Sequence, residues 1–226
     1  MIEVDVRQAV LAANAAAAAA LREKFEASGT LVVNLISSPG SGKTTLLEKT
    51  VAALKASLRL GALEGDIATE RDADRLRRMG IPARQILTGG SCHLDARLVD
   101  RALAAEGRAL AGLDILFIEN VGNLICPTSY DLGEDFKVVL LSVTEGEDKP
   151  VKYPSMFRAS DLVLLNKMDL LPYVQFDVDR FLTHARSVNP RALVLPISAT
   201  RGDGLSAWYA WLRKQVAPFA RSAESR

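Results

Sequence analysis

Seven short apolar runs alternate with helical stretches, and that alternation limits what this chain folds into. The runs are Leu31–Ile36, Leu58–Leu63, Gln85–Leu87, Ile115–Ile118, Val138–Val143, Leu162–Leu165 and Ala192–Ile197. Between most of them lie helical segments such as Thr44–Ala56, Thr69–Met79, Leu94–Glu106, Asp177–Ser187 and Leu205–Val216. Strands that are apolar nearly throughout are buried on both faces, so the pattern predicts an α/β fold. Its sheet is mostly parallel, roughly seven-stranded and covered by helices on both sides. Chemistry in such sheets sits in the loops at the strands' carboxyl ends. Residues 5–28 read as a further helix, Ala-rich and without Pro, with Gly29 placed to end it. The expected organisation is an N-terminal helix over 1–30, one main domain over 31–218 and a flexible tail over 219–226.

The first strand leads into Ser37-Ser38-Pro39-Gly40-Ser41-Gly42-Lys43-Thr44, followed by Thr45. This is the phosphate-loop pattern G-x-x-x-x-G-K-[ST], with Ser37 in place of the first Gly. Gly40 and Gly42 let backbone N–H groups turn inward onto phosphate oxygens. Lys43 reaches the β- and γ-phosphates, and Thr44 offers its hydroxyl to Mg²⁺. The helix that begins here adds the positive end of its dipole. A Gly-rich turn of purely structural purpose has no use for Gly-Lys-Thr-Thr.

Past the sixth run stands Asn166-Lys167-Met168-Asp169. Asp169 is placed to accept two hydrogen bonds from guanine, a donor pair that adenine lacks. Asn166 would tie the loops together, and the Lys167 stem would cover the base. Ser198-Ala199 supplies small residues for a loop closing over guanine. The ligand expected is GTP or GDP.

Three segments are candidate sensors of the γ-phosphate. Asp66 follows the second run and fits either an Mg²⁺ ligand or the N-cap of the next helix. Asp72 is a candidate for ordering the attacking water, or a first-turn helix charge. Glu119-Asn120-Val121-Gly122 ends an apolar strand in a carboxylate that could hold Mg²⁺. Gly122 would then offer its N–H to the γ-phosphate. Asn123 stands where small GTPases carry a water-orienting Gln, and its shorter reach predicts slow hydrolysis.

Only two cysteines and two histidines occur: Cys92, Cys126, His93 and His184. They are too few for a disulfide framework, and MIEVDVRQAV does not read as a signal peptide, so reduced thiols and a cytoplasmic location are expected. Cys92-His93 and Cys126 fall in loops expected at one end of the sheet. Thiolate and imidazole suit Ni²⁺ and Zn²⁺. The same residues also fit small buried hydrophobes and, for His93, a helix cap. His184 reads as packing or surface. A net charge of +1 gives no nucleic-acid footprint, and no apolar run approaches the roughly 20 residues needed to cross a bilayer.

From about Leu31 onward the sequence resembles the hydrogenase nickel-incorporation GTPases, the HypB family, in the SIMIBI class of dimerising P-loop NTPases. The likeness is carried by Ser37–Thr44, by Glu64-Gly-Asp-Ile-Ala-Thr-Glu-Arg-Asp-Ala and by Gly89-Gly-Ser-Cys-His. It is carried most specifically by Glu119-Asn-Val-Gly-Asn-Leu-Ile-Cys-Pro and Val143-Thr-Glu-Gly-Glu-Asp-Lys-Pro-Val-Lys-Tyr-Pro. The resemblance implies a Ni²⁺ or Zn²⁺ site at Cys92, His93 and Cys126 on a homodimer interface. It implies dimerisation on GTP or metal, a nickel chaperone of the HypA type as partner, and delivery to the hydrogenase large subunit. Lys149 is implied to reach the other subunit's nucleotide. Some family members carry an N-terminal Cys-x-x-Cys-Gly-Cys site or a His-rich tract; the segment before Leu31 has neither Cys nor His, so neither is expected here. Two other readings compete: a urease accessory nickel GTPase, which would place Cys-Pro-His together, and a non-metallic GTPase scaffold gating a cobalamin enzyme.

Overall fold

The computed structural model describes residues 2–66 and 71–224. Along the chain run α1 (Ile2–Ser28), β1 (Leu31–Ser37), α2 (Lys43–Leu54), β2 (Leu60–Asp66), α3 (Arg71–Arg78), β3 (Ala83–Leu87), α4 (Ala96–Glu106) and β4 (Ile115–Glu119). They are followed by β5 (Phe136–Ser142), α5 (Lys149–Lys152), α6 (Pro154–Ala159), β6 (Leu162–Asn166), α7 (Val178–Val188), β7 (Leu193–Pro196) and α8 (Leu205–Glu224). The seven strands form one sheet in the order β3-β2-β4-β1-β5-β6-β7, and every pairing is parallel. On one side of β1 the chain places β2 and then β3 outward, returns to insert β4 next to β1, and crosses to the other side at β5. The loop after β1 therefore opens at the topological switch point, where ligands of such sheets bind.

All seven residues of β1 are buried, as a central strand covered on both faces requires. Its side chains alternate between the two faces. Leu31, Val33 and Leu35 pack with Leu46 and Val51 of α2 and Trp208 and Leu212 of α8. Val32 packs with Leu21 and Phe25 of α1 and Val99 of α4. Ile36 packs with Phe157 of α6 and Phe181 of α7.

The buried residues of α1 include Asn14, Ala18, Leu21 and Phe25, a spacing that returns to one helical face. Asn14 pins that face: its Nδ2 donates to the Asp131 carbonyl at 2.8 Å and its Oδ1 accepts from Ala96 N at 2.9 Å. Gly29, at φ 67°, ends the helix, with Thr30 N bonded to Phe25 O.

Three boundaries differ from the sequence expectation. Strand β2 starts at Leu60, because Leu58 N–H is still spent closing α2 onto Leu54 O. Helix α4 starts at Ala96, capped by Asp95, whose carboxylate accepts from Leu98 N; His93 does not cap it. The expected tail from 219 is helical as far as Glu224, and residues 225–226 lie outside the described residues. The expected helix start at Thr69 also lies outside them.

Helix α8 matters for the site because it clamps α2. Trp208 is fully buried and its indole N–H donates to Thr50 Oγ1 at 2.9 Å. Trp208→Ala is expected to cost about 3–5 kcal/mol of unfolding free energy through the cavity it leaves. Urea denaturation followed by far-UV circular dichroism measures this.

Candidate functional site

The phosphate loop leaves β1 and folds back over the amino end of α2. Gly40 and Gly42 take φ values of 73° and 101°, which glycine adopts without strain. A Cβ on Gly42 would lie 2.7 Å from Asn166 Nδ2. Lys43 and Thr44 are both buried, and Lys43 Nζ donates to Ser37 Oγ at 2.7 Å. The serine that replaces the motif's first glycine thus gives the lysine a resting partner. A cleft of about 510 Å³ opens here, lined by Gly40, Gly42, Lys43, Thr44, Thr45 and the loops after β2 and β4. A hollow of about 610 Å³ elsewhere, around Arg59 and Asp114, contains none of the motif residues.

Carboxylates face the lysine across this cleft. Glu119 is 6% exposed, its Oε1 lies 3.9 Å from Lys43 Nζ, and Thr44 Oγ1 donates to both its oxygens at 3.3 Å. The parallel register sets Glu64 of β2 directly opposite Glu119 of β4. Glu64 is 1% exposed, and its Oε1 has no hydrogen-bond partner. Burial, reinforced by the Glu119 charge, pushes the Glu64 carboxyl well above its ordinary range. Burial also raises Glu119, against the pull of Lys43. Two buried carboxyls beside a threonine hydroxyl, one with an orphaned oxygen, form the hard oxygen set that suits Mg²⁺. Asp66 and Asp72 line the same cleft, and Asp72 is held by Arg75 at 3.2 Å.

On the other side of the phosphate loop, Asn166 joins three segments. Its Nδ2 donates to Ser41 O at 2.8 Å and its Oδ1 accepts from Ala199 N at 2.9 Å. Lys167, the one non-glycine described residue with positive φ (61°), lays its Nζ on Gly40 O at 2.7 Å. Asp169 Oδ1 accepts from Ser198 Oγ at 2.6 Å. A carboxylate fixed by a neighbouring hydroxyl, three residues past the amide that touches the phosphate loop, is an acceptor suited to a base edge.

The two thiols meet. Cys92 Sγ and Cys126 Sγ are 2.7 Å apart, and both cysteines are free. His93 Nδ1 lies 3.7 Å from Cys92 Sγ, and one ligand atom from each of the three residues falls within 4.8 Å of the others. The hydrogen bond to Cys126 raises the Cys92 thiol, with burial adding to it. Burial lowers His93, against the Asp95 charge, which favours the neutral imidazole that ligates metal. Tyr130 stacks on the His93 ring with centroids 3.9 Å apart. The Cys126 loop starts from the nucleotide cleft, where Gly122 lies flush with the phosphate loop. A Cβ there would meet three Pro39 atoms at 3.0 Å.

Asn123 departs from expectation. Its Nδ2 donates to Cys92 O at 3.2 Å and its Oδ1 accepts from Ile125 N at 2.8 Å, so its side chain is spent on backbone and does not stand free to orient water. Lys149 rests against Glu145, 3.8 Å from Oε2, with Tyr153 beneath it at 5.2 Å. Glu145 Oε1 in turn accepts from Ser41 Oγ at 2.6 Å. His184 is half-buried with Nδ1 3.1 Å from Glu147 O, away from the thiols. Sequence reasoning missed Glu64, Arg75 and Glu145 as site residues. Glu64 and Glu145 stand inside the segments that carry the family likeness, and Arg75 lies at i,i+3 spacing from Asp72.

Comparison with known proteins agrees with this geometry. The CobW/HypB/UreG nucleotide-binding domain matches residues 31–196. The hydrogenase maturation factor HypB of Azotobacter chroococcum mcd 1 is 53% identical over 214 residues, which is 94% of this chain and 69% of that protein. The crystal structure of hydrogenase maturation factor HypB from Archaeoglobus fulgidus superposes with a TM-score of 0.85 at 41% identity, over 91% of this chain and 99% of that one. HypB from Helicobacter pylori, solved in complex with nickel, gives 0.86 at 40% identity, over 91% and 95% of the two chains. The GDP complex of the signal recognition particle receptor FtsY from Elizabethkingia anophelis shares the fold alone, at 15% identity and a TM-score of 0.51, over 78% of this chain and 64% of that one.

The acid pair has a measurable consequence. Both carboxyls titrate above their ordinary 4.5 in the folded state, so above that pH the folded protein binds more protons than the unfolded chain, and stability falls as pH rises. Without nucleotide or Mg²⁺, Glu64→Gln is expected to raise the Tm at pH 7 by about 2–4 °C and to flatten its decline with pH. Calorimetry from pH 5 to pH 8 checks both.

Proposed function

This chain belongs to the CobW/HypB/UreG family and, within it, to the HypB hydrogenase maturation factors, and from that premise we propose that it is a GTP-hydrolysing switch that promotes nickel insertion into the large subunit of a NiFe hydrogenase. One observation carries the reading: the glycine packed on the phosphate loop, Gly122, lies four residues before Cys126, a member of the three-residue soft-ligand group. Whatever moves the backbone at Gly122 moves a thiolate.

In this reading Asp169 accepts from guanine, with Asn166, Lys167, Ser198 and Ala199 shaping the base pocket. Gly40, Ser41, Gly42, Thr45 and the amino end of α2 hold the phosphates. Lys43 leaves Ser37 to neutralise the β- and γ-phosphates. Thr44, Asp66 and Glu119 would hold Mg²⁺, which would supply charge neutralisation on the phosphates. Asp72 remains the candidate for ordering the attacking water. Turnover is slow because Asn123 is committed elsewhere.

Nickel is the cargo. Its ligands are Cys92, His93 and Cys126, and Zn²⁺ competes for the same soft set. One chain offers three ligands, so a two-fold homodimer formed on GTP or metal doubles them. Lys149 then leaves Glu145 for the partner's nucleotide. The cargo comes from a HypA-type chaperone in the cytoplasm. The clustered thiols and imidazole favour this reading over a non-metallic scaffold.

The decisive experiment titrates nickel with GDP and with a non-hydrolysable GTP analogue present, following affinity and oligomer size together. Affinity is expected to differ between the two states by about tenfold or more, which requires about 1.4 kcal/mol of differential binding. Cys126→Ala is expected to abolish that difference while GTP still binds. Equal nickel affinity in both nucleotide states of the unaltered protein sinks the switch. A separate control is Lys43→Ala, expected to cut phosphate release to background; unchanged release would remove the GTPase assignment.

A further inference from the structure

We propose that Asn123 is the positioning residue that carries the nucleotide signal to the second thiol, Cys92. The proposal rests on the metal-switch reading and adds a route to it. Cys126 is joined to Gly122 through consecutive backbone. Cys92 lies 34 residues earlier, on the loop after β3, and no short stretch of chain connects it to the nucleotide sensor. A switch that moved only Cys126 would simply pull one thiol away from the other.

Asn123 closes that gap. It is the residue next to Gly122, and its side-chain amide has two ends in use. The Nδ2 end holds the Cys92 carbonyl at 3.2 Å. The Oδ1 end holds Ile125 N–H at 2.8 Å, one residue before the other cysteine. The amide thus spans both sulfur-bearing loops, and displacement of Gly122 is delivered to both. A neighbouring bridge works differently. Asn120 Oδ1 accepts from Leu94 N at 3.2 Å and from Val121 N at 3.0 Å, and its Nδ2 lies 3.4 Å from Asn34 Oδ1 on β1. Asn120 precedes Gly122, is buried and is anchored to the sheet, so it fixes the base about which the outer loops turn.

The chemistry of the amide makes the idea separable from simple packing. Asparagine donates and accepts at once. Aspartate of the same shape keeps the acceptor for Ile125 N–H, has no donor for the Cys92 carbonyl, and sets a charge against it. Asn123→Asp therefore preserves the Cys126 loop and cuts the Cys92 link, whereas Asn123→Ala cuts both.

The test measures nickel affinity of the full chain with GDP and with a non-hydrolysable GTP analogue, by competition with a chromophoric chelator, and records thiolate-to-nickel charge-transfer absorption in each state. In both variants the ratio of the two affinities is expected to shrink by about threefold to tenfold, the range one hydrogen bond commands. The nucleotide-dependent change in absorption is expected to shrink with it, while GTP affinity stays unchanged. Asn123→Gln, which restores both donor and acceptor on a longer stem, is expected to recover part of the ratio. An unaltered ratio in Asn123→Asp overturns the proposal even if Asn123→Ala loses it, because the link to Cys92 would then carry nothing. Absence of nickel binding in the unaltered protein would instead bring down the metal-switch reading itself.

Discussion

Uniform strand direction is the constraint on which the functional geometry rests. Because β1, β2, β3, β4 and β6 all point the same way, the phosphate loop, Asp66, the Cys92 loop, Glu119 with its following loop, and Asn166 all emerge at one edge of the sheet. Register then does the fine placement. Leu35 of β1 lies beside Glu119 of β4, and Glu64 of β2 lies on Glu119's other side. A one-residue slip would turn the Glu119 side chain to the opposite face and away from Lys43. The continuous apolar burial of β1 and β4 is what makes such a slip costly.

That placement puts like charges together in a dry setting. Two buried carboxyls opposite each other are unfavourable when both are ionised, and one lysine at 3.9 Å offsets only part of the cost. One oxygen of the pair, Glu64 Oε1, has no hydrogen-bond partner. A divalent cation bound there, as proposed, would relieve the cost without any change in fold. Lys43 on Ser37 and Lys149 beside Glu145 follow a similar logic: each cation rests near an oxygen, and in the proposed function a phosphate competes for it.

Local chemistry was legible in the sequence and pairwise chemistry was not. Ser37–Thr44 and Asn166–Asp169 announce themselves because their residues act together within a single loop. Gly29 and the apolar runs announce helix end and strands for the same reason. Asn166 tying the loops was legible too, since a buried amide after a strand has few other uses. Glu64 was missed because its meaning lies in the β2–β4 register, set by pairing across 50-odd residues of intervening chain. Asn123 was read by analogy of position. What decides its role is which backbone groups stand within reach, and one of them belongs to residue 92. The capping role considered for His93 fell to Asp95, because a carboxylate two residues later presents the better acceptor to Leu98 N–H.

The meeting of the thiols has its own consequence for how such a site gives metal away. The hydrogen bond to Cys126, with burial adding to it, raises the Cys92 thiol above its ordinary range. A soft metal taken up there, as proposed, would displace the Cys92 proton, and a proton would compete for that sulfur as the metal left. The neutral His93, stacked on Tyr130, charges no such toll. Under the proposed function, a site of this composition would hold soft metal less tightly than a set of preformed thiolates, as suits a donor of cargo. In that reading a modest difference between nucleotide states decides whether nickel stays, whereas a closed four-thiolate site would hold it through both.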